Sequence, residues 1–148
     1  MKRALAIVAL LALTVLVLAG SRTVAPAPAQ DEPRFAAYDV CIDSGSAPLA
    51  AWQVEIVASS GRAKLVGVEG GDAGAFAAPP YYDPKALMSE RIVLAAFDTG
   101  SALPSGRTRV ARLHVEVQGA AEPRFEARVV AAASRDGRTI DVSVEVRP

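Results

Sequence analysis

Hydrophobic and polar residues alternate along several stretches of the chain. In residues 50–59, the apolar side chains Trp52, Val54 and Ile56 alternate with polar ones. Period-two alternation is typical of a β-strand that has one face in a hydrophobic core and the other in water. The pattern recurs in two later stretches, where the apolar positions are Ala111, Leu113, Val115, Val117, Ile140, Val142, Val144 and Val146.

The stretch around Leu113 predicts which side chains enter the core. Leu113 has apolar residues two positions away on either side, so we expect it to be buried between two sheets. Arg112 and Glu116 have the opposite parity and should be solvated. His114 shares their outer face, which makes Arg112 and His114 candidate binding residues.

Short turn motifs separate the predicted strands. Asp136-Gly137 is a strong hairpin signal between two strand-like stretches. Residues 90–97, ERIVLAAF, carry apolar residues on both faces, which favours a strand that is central or covered on both faces. Short strands joined by turns indicate a sandwich. We therefore predict an all-β jelly-roll β-sandwich of about eight to nine strands over residues 34–148.

Residues 71–90 interrupt the alternation with three prolines and three aromatics. Asp83-Pro84 predicts a short helical turn, with the aspartate as N-cap and the proline at the first position. The aromatics Phe76, Tyr81 and Tyr82 either cover one end of the core or contact a ligand, since aromatic side chains in loops do both. We keep all three as candidate binding residues.

The first 33 residues predict export and a tether. Lys2 and Arg3 precede an apolar run from residue 4 to residue 20, which is typical of a secretory signal peptide or an N-terminal membrane anchor, assigned here to residues 1–22. A cleaved signal is favoured over an anchor helix. Either interpretation makes the protein secreted, periplasmic or cell-surface. Alternating alanine and proline in residues 23–33 favour an extended linker.

Charge and composition exclude several function classes. The formal net charge is zero and basic residues are scattered, so the clustered positive face of a nucleic-acid-binding protein is missing. Cys41 is the single cysteine, which excludes an internal disulfide and favours a buried, inert core thiol. His114 is the single histidine, and we predict no metal and no cofactor. One alternative is a calcium site, with ligands from Asp39, Asp43, Asp72 and Asp98.

The order of these segments resembles the bacterial cohesin family and its carbohydrate-binding-module relatives. The resemblance rests on LAAWQVEIVASSGRAKLVGVEGGD, then ERIVLAAFDTGSALPSGRTRVARLHVEVQG, then a closing hairpin with DGRTIDVSV. It implies a nine-strand jelly roll that binds a partner and catalyses nothing. Cohesins bind calcium-loaded dockerin domains through one sheet face. The resemblance therefore implies a dockerin-type protein domain or a polysaccharide as partner, in assembly at the cell surface.

Residues 97–101, FDTGS, raise an alternative from another class. An apolar strand that ends in Asp-Thr-Gly is typical of aspartic proteases, which need two such aspartates facing each other. This chain has one, at 98–100, so a retroviral-type protease would have to dimerise. The simpler interpretation is that Asp98 and Gly100 form the turn after a strand.

Export can be tested directly. Residues 1–33, fused to a reporter that is active only outside the cytoplasm, should give signal because the charged end of an apolar helix stays inside. A silent reporter in cells that demonstrably contain the fusion would refute export. N-terminal sequencing of the native protein would distinguish a cleaved signal from an anchor.

Overall fold

The computed structural model of the protein describes residues 32–148, which form a sandwich of two antiparallel β-sheets. Strands β3-β5-β1-β7 form the four-stranded sheet and β4-β2-β6 form the three-stranded sheet. The strands are β1 (Arg34–Asp43), β2 (Ala51–Ser60), β3 (Arg62–Gly70), β4 (Arg91–Phe97), β5 (Arg107–Gln118), β6 (Arg124–Ala133) and β7 (Ser143–Arg147). Residues 1–22 and most of the predicted linker lie outside the described residues. No helix within 32–148 has the length and apolar character needed to cross a membrane.

Inward-facing side chains of both sheets form one hydrophobic core. Leu113 is fully buried, and Trp52, Val54 and Ile56 are at most 2% exposed, which confirms the predicted parity of β5 and β2. Trp52 meets Phe76 edge to face, with ring centroids 6.0 Å apart, a favoured arrangement of buried aromatics. The core therefore joins the sheets to the segment that connects β3 and β4.

The described residues contain seven strands, fewer than the eight to nine predicted. Residues 71–90, predicted to interrupt the alternation, form two 3₁₀ turns, at Gly74–Phe76 and Pro84–Ala86, and a single β-bridge. Prolines in this segment lack backbone N–H donors and so cannot continue a ladder. The predicted turn at Asp83-Pro84 is confirmed, because the Asp83 side chain accepts a hydrogen bond from the Lys85 N–H at 2.9 Å.

The predicted closing hairpin is only partly correct. The turn forms, with Gly137 at a φ of 77° and the Ser134 N–H bonded to the Arg138 carbonyl. One bridge, between Ala133 and Thr139, follows it. The chain then crosses to the other sheet, where β7 pairs with β1 and places Val144 and Val146 against the core. Val144 and Val146 are partly buried there, so the crossover gives them apolar contacts with the core.

Strand β4 was predicted to be central, and this is wrong. It is an edge strand of the three-stranded sheet, paired with β2 alone among the strands of residues 32–148. Its free edge is partly covered by Tyr81, which exchanges two backbone hydrogen bonds with Ala95, at 2.8 and 3.0 Å. The outward-facing apolar residues of β4 therefore lie on the surface of the sandwich, and no second sheet of residues 32–148 packs on that face.

Cys41 is buried, as predicted, although it does not belong to the hydrophobic cluster between the two sheets. It is 3% exposed and alternates with Val40 and Ile42, which belong to the core cluster. Its neighbours across the strands are Arg109 and Glu145. Cys41 therefore lies on the outer side of the four-stranded sheet, with little contact with solvent.

The parity of β5 makes a quantitative prediction. Leu113→Ala should lower the free energy of unfolding by about 2–5 kcal/mol, because it leaves a cavity between two sheets that collapse incompletely. Arg112→Ala should cost much less, since its side chain is 37% exposed and solvent screens its ion pair with Asp39. Chemical denaturation measures both, and equal costs would contradict this assignment of faces.

Candidate functional site

The five predicted binding residues do not come together in one site. Phe76 is 2% exposed and belongs to the core. Tyr82 is partly buried against the core, whereas Tyr81 is 71% exposed at the edge of the three-stranded sheet. Arg112 and His114 lie on the outer face of the four-stranded sheet. Phe76 therefore covers the core, and ligand contact by the other four residues remains a prediction.

The outer face of the four-stranded sheet consists largely of charges that pair with one another. Asp39 accepts hydrogen bonds from Arg112 at 2.8 Å and from Arg109 at 3.3 Å. The hydrogen bond from Arg112, and to a smaller extent that from Arg109, holds the pKa of the Asp39 carboxyl below its ordinary value. His114 Nε2 lies 2.9 Å from a carboxylate oxygen of Glu69, although without the alignment of a hydrogen bond. This face is internally compensated, so binding a partner there would have to displace existing pairs.

The outer face of the three-stranded sheet has a different character at one end. Register places Ala51 between Phe97 and Ala133, and places Gln53 between Ala95 and Ala131. Tyr81 adds a further aromatic ring beside Ala95. We call this surface the platform, and it consists of Ala51, Gln53, Tyr81, Ala95, Phe97, Ala131 and Ala133.

The two aromatic rings dominate the platform. Tyr81 is 71% exposed and Phe97 is 65% exposed. Their ring centroids are 6.3 Å apart and their planes differ by 14°, so the rings are nearly parallel. Beside them is a shallow depression of about 230 Å³, lined mostly by alanines. Two large exposed rings over small side chains form an apolar surface that a second molecule can approach closely.

Charged residues border the platform on the same sheet face. Glu55 is only 15% exposed, although it lies on the outer side, because the guanidinium groups of Arg91 and Arg128 both pair with it. Hydrogen bonds from Arg128 and Arg91 hold the pKa of the Glu55 carboxyl below its ordinary value. The face therefore changes from apolar to charged within two residues along β2.

Asp98 forms the turn after β4, as the simpler interpretation of FDTGS predicted. Its Oδ1 atom accepts a hydrogen bond from the Gly100 N–H at 2.5 Å. The Asp98 N–H donates to the Ala50 carbonyl, and the Arg135 guanidinium donates to the Gly100 carbonyl. The aspartate therefore closes the loop after β4, which explains the motif as turn chemistry.

The four aspartates considered as calcium ligands are not gathered together. Asp39 and Asp72 share the guanidinium of Arg109. Asp43 accepts a hydrogen bond from the Gly45 N–H at 2.9 Å, and Asp98 is held in its own turn. Across residues 32–148, no group of three histidine, cysteine or acidic side chains is arranged to hold a metal ion.

The topology defines the class of fold as a cohesin-like β-sandwich, which confirms the resemblance seen in the sequence. The structure is similar to the crystal structure of the seventh ScaB type I cohesin from Pseudobacteroides cellulosolvens. The TM-score is 0.53, over 72% of this chain and 73% of that chain, and 12% of residues are identical. At this identity, the likeness establishes the fold alone. No protein-family model and no curated protein matches the sequence.

Sequence reasoning missed most of the platform. Phe97 belongs to FDTGS, but the motif directed attention to Asp98. The strands β2, β4 and β6 each carry adjacent alanines near one end, in AAW, LAAF and VVAAA. That shared feature was the available signal. It becomes informative only when the pairing of the three strands is known, because register decides whether the alanines meet.

The turn assignment of Asp98 predicts two different outcomes. Asp98→Ala should lower the free energy of unfolding by about 0.5–1.5 kcal/mol, because it removes one acceptor from the turn. Asp98→Asn should be nearly neutral, because the amide oxygen accepts the same hydrogen bond.

A peptidase assay at acid pH should show no activity in the wild-type protein. Acid activity that is abolished by Asp98→Asn, with the fold intact, would instead support the dimeric protease.

Proposed function

We propose that the chain is a non-catalytic, extracytoplasmic binding module, and that the platform docks a protein domain of the dockerin type. The observation that carries the proposal is the pair of parallel, exposed rings of Tyr81 and Phe97 over a floor of alanines. The cohesin-like fold supports the same conclusion, because the resemblance to cohesins implies a dockerin-type partner. In the proposed role the protein contributes to assembly at the cell surface.

The composition of the platform favours a protein partner. Binding energy in protein interfaces concentrates in a few aromatic and arginine side chains that lie near the centre of the contact and lose their water. Tyr81 and Phe97 supply such rings, and the flanking alanines allow a partner helix or strand to come close. Gln53 places one amide in the middle of the surface, where it can bond a partner's backbone or side chain.

The charged border supplies the second element of recognition. Arg91 and Arg128 are 62% and 69% exposed, although each pairs with Glu55. Exposed charges at the rim of an interface steer association and select partners more than they add affinity. A partner with carboxylates around an apolar centre would complement these two guanidinium groups. The opposite sheet lacks a comparable apolar centre, since its outer face pairs charge with charge.

The proposal can be tested by calorimetry against a panel of purified dockerin domains in Ca²⁺, with chelator as a control. Tyr81→Ala and Phe97→Ala should each weaken binding about 30-fold, the effect of losing an aromatic hot spot of about 2 kcal/mol. Phe35→Ala is the matched control. Phe35 is 72% exposed, but it lies on the outer face of the four-stranded sheet, so its loss should leave the affinity unchanged.

Two outcomes would contradict the proposal. If Phe35→Ala weakens binding while Phe97→Ala does not, the partner uses the other sheet. If no dockerin binds, but a soluble polysaccharide does and Tyr81→Ala abolishes that binding, the platform recognises sugar rings. Either result would leave the fold assignment intact and change the partner.

A further inference from the structure

The two edges of the three-stranded sheet end differently. Tyr81 exchanges two backbone hydrogen bonds with Ala95, which caps the edge of β4. At the other edge lies β6, which pairs with β2 alone among the strands that the structure describes. Only the end of β6 is covered there, where the Ile140 N–H donates to the Ala132 carbonyl at 3.1 Å. Residues 124–130 therefore present an edge without a strand beside it.

Backbone alternation shows which groups of β6 point to this edge. Tyr81 takes up both backbone groups of Ala95, so Ala95 does not bond Gln53, its neighbour in β2. Successive residues of an antiparallel strand bond to opposite sides, so the backbone of Gln53 points to β6, as does that of Glu55. Arg128 is the neighbour of Glu55 in β6, and its backbone therefore bonds to β2.

The residues that alternate with Arg128 direct their backbone groups away from β2. They are Phe125, Ala127 and Val129, and their side chains are partly buried against the core. Their N–H and C=O groups give the edge about six hydrogen-bonding groups for a further strand. An unprotected edge of this kind is a template for pairing with another chain.

Charges on the outer face of β6 make this edge complementary to itself. Glu126 and Arg128 flank Ala127, and both are exposed. In an antiparallel pair of two β6 strands centred on Ala127, Glu126 of each copy lies directly opposite Arg128 of the other. Phe125 then lies opposite Val129, and Ala127 opposite Ala127. These inner residues are the ones whose backbone groups point to the edge, so hydrogen bonds and charges agree in a single register.

The same charges exclude the neighbouring registers. Moving the two-fold axis by one residue keeps the backbone groups in phase, but it sets Glu126 against Glu126 or Arg128 against Arg128. Like charges directly opposite each other destabilise a strand pair. Arg128 is 69% exposed beside Glu55, so a second carboxylate can reach its guanidinium group.

The space behind the edge suits the inner side chains of a second copy. Strand β7 pairs only with residues 39–43 of β1, and a groove of about 600 Å³ lies between the sheets next to the earlier part of that strand. Tyr38, Phe125 and Val146 form part of its apolar lining. In the register above, Val129 of a second copy lies opposite Phe125 and so extends this apolar contact.

We propose that two copies of the chain pair through their β6 edges in an antiparallel, two-fold symmetric dimer. The two three-stranded sheets then form one continuous sheet in the order β4-β2-β6-β6-β2-β4. Tyr81 caps both outer edges of that sheet, so pairing ends at two copies and does not continue into a fibre. Both platforms lie on the same face of the sheet, which gives the dimer two docking surfaces on one side. The proposal does not depend on which partner the platform binds.

Sedimentation and hydrogen exchange of the exported protein, measured over the same concentrations, test the pairing. The protein should pass from monomer to dimer as its concentration rises towards about 1 mM. The amides of Phe125, Ala127 and Val129 should become slow to exchange over the same range. The amides of Glu126 and Arg128 bond to β2, so they should exchange slowly at every concentration and serve as an internal control.

Two variants test the charges and the backbone bonds separately. Glu126→Arg should weaken dimerisation about tenfold or more, because it replaces two attractive pairs with two repulsive ones. Glu90→Arg is the matched control, since it makes the same charge change at an exposed residue just before β4, at the opposite edge of the sheet, and should leave dimerisation unchanged. Ala127→Pro removes a donor that faces away from β2, so it should abolish the dimer and leave the circular dichroism spectrum unchanged.

Three results would overturn the proposal. A protein that stays monomeric throughout, with fast exchange at the three edge amides, would show that the edge is free. Slow exchange of these amides that does not depend on concentration would assign the edge to another segment of the same chain. A dimer that Glu126→Arg leaves unaffected would place the contact on another surface.

Discussion

The structure depends on the burial of one face of each strand between two sheets. Because successive side chains point to opposite faces, the choice of which parity enters the core also decides which side chains face outward. The burial of Trp52, Val54 and Ile56 therefore places Gln53 and Glu55 on the outer face of β2. The platform and its charged border follow from the same packing that forms the core.

The outer faces of the two sheets differ in chemical character. On the four-stranded sheet, Asp39 and the two arginines bonded to it neutralise one another. On the three-stranded sheet, alanines from three strands leave room above the backbone, and the rings of Tyr81 and Phe97 rise beside them. Contiguous exposed apolar surface commonly marks a site of interaction. The segment 71–90 links core and surface, since it buries Phe76 and exposes Tyr81.

The sequence predicted the local features well and their pairing less well. Alternation identified the buried faces of β2 and β5, and the turns at Asp83 and Asp98 were readable from side-chain chemistry. The edge position of β4 was not readable, because an apolar strand has the same composition whether a sheet or a partner covers it. Arg112 and Tyr81 were grouped as candidates, although they lie on different sheets, since no sequence pattern states which strands are neighbours.

The central claim is that a protein partner covers the outer face of the three-stranded sheet. Hydrogen exchange of the chain, compared with and without a bound dockerin domain, locates that contact most directly. The account predicts slower exchange in β4 and at the end of β6 near Ala131, with β1 and β5 unchanged. Slower exchange in β1 and β5, with β4 and β6 unaffected, would contradict it and place the contact on the four-stranded sheet.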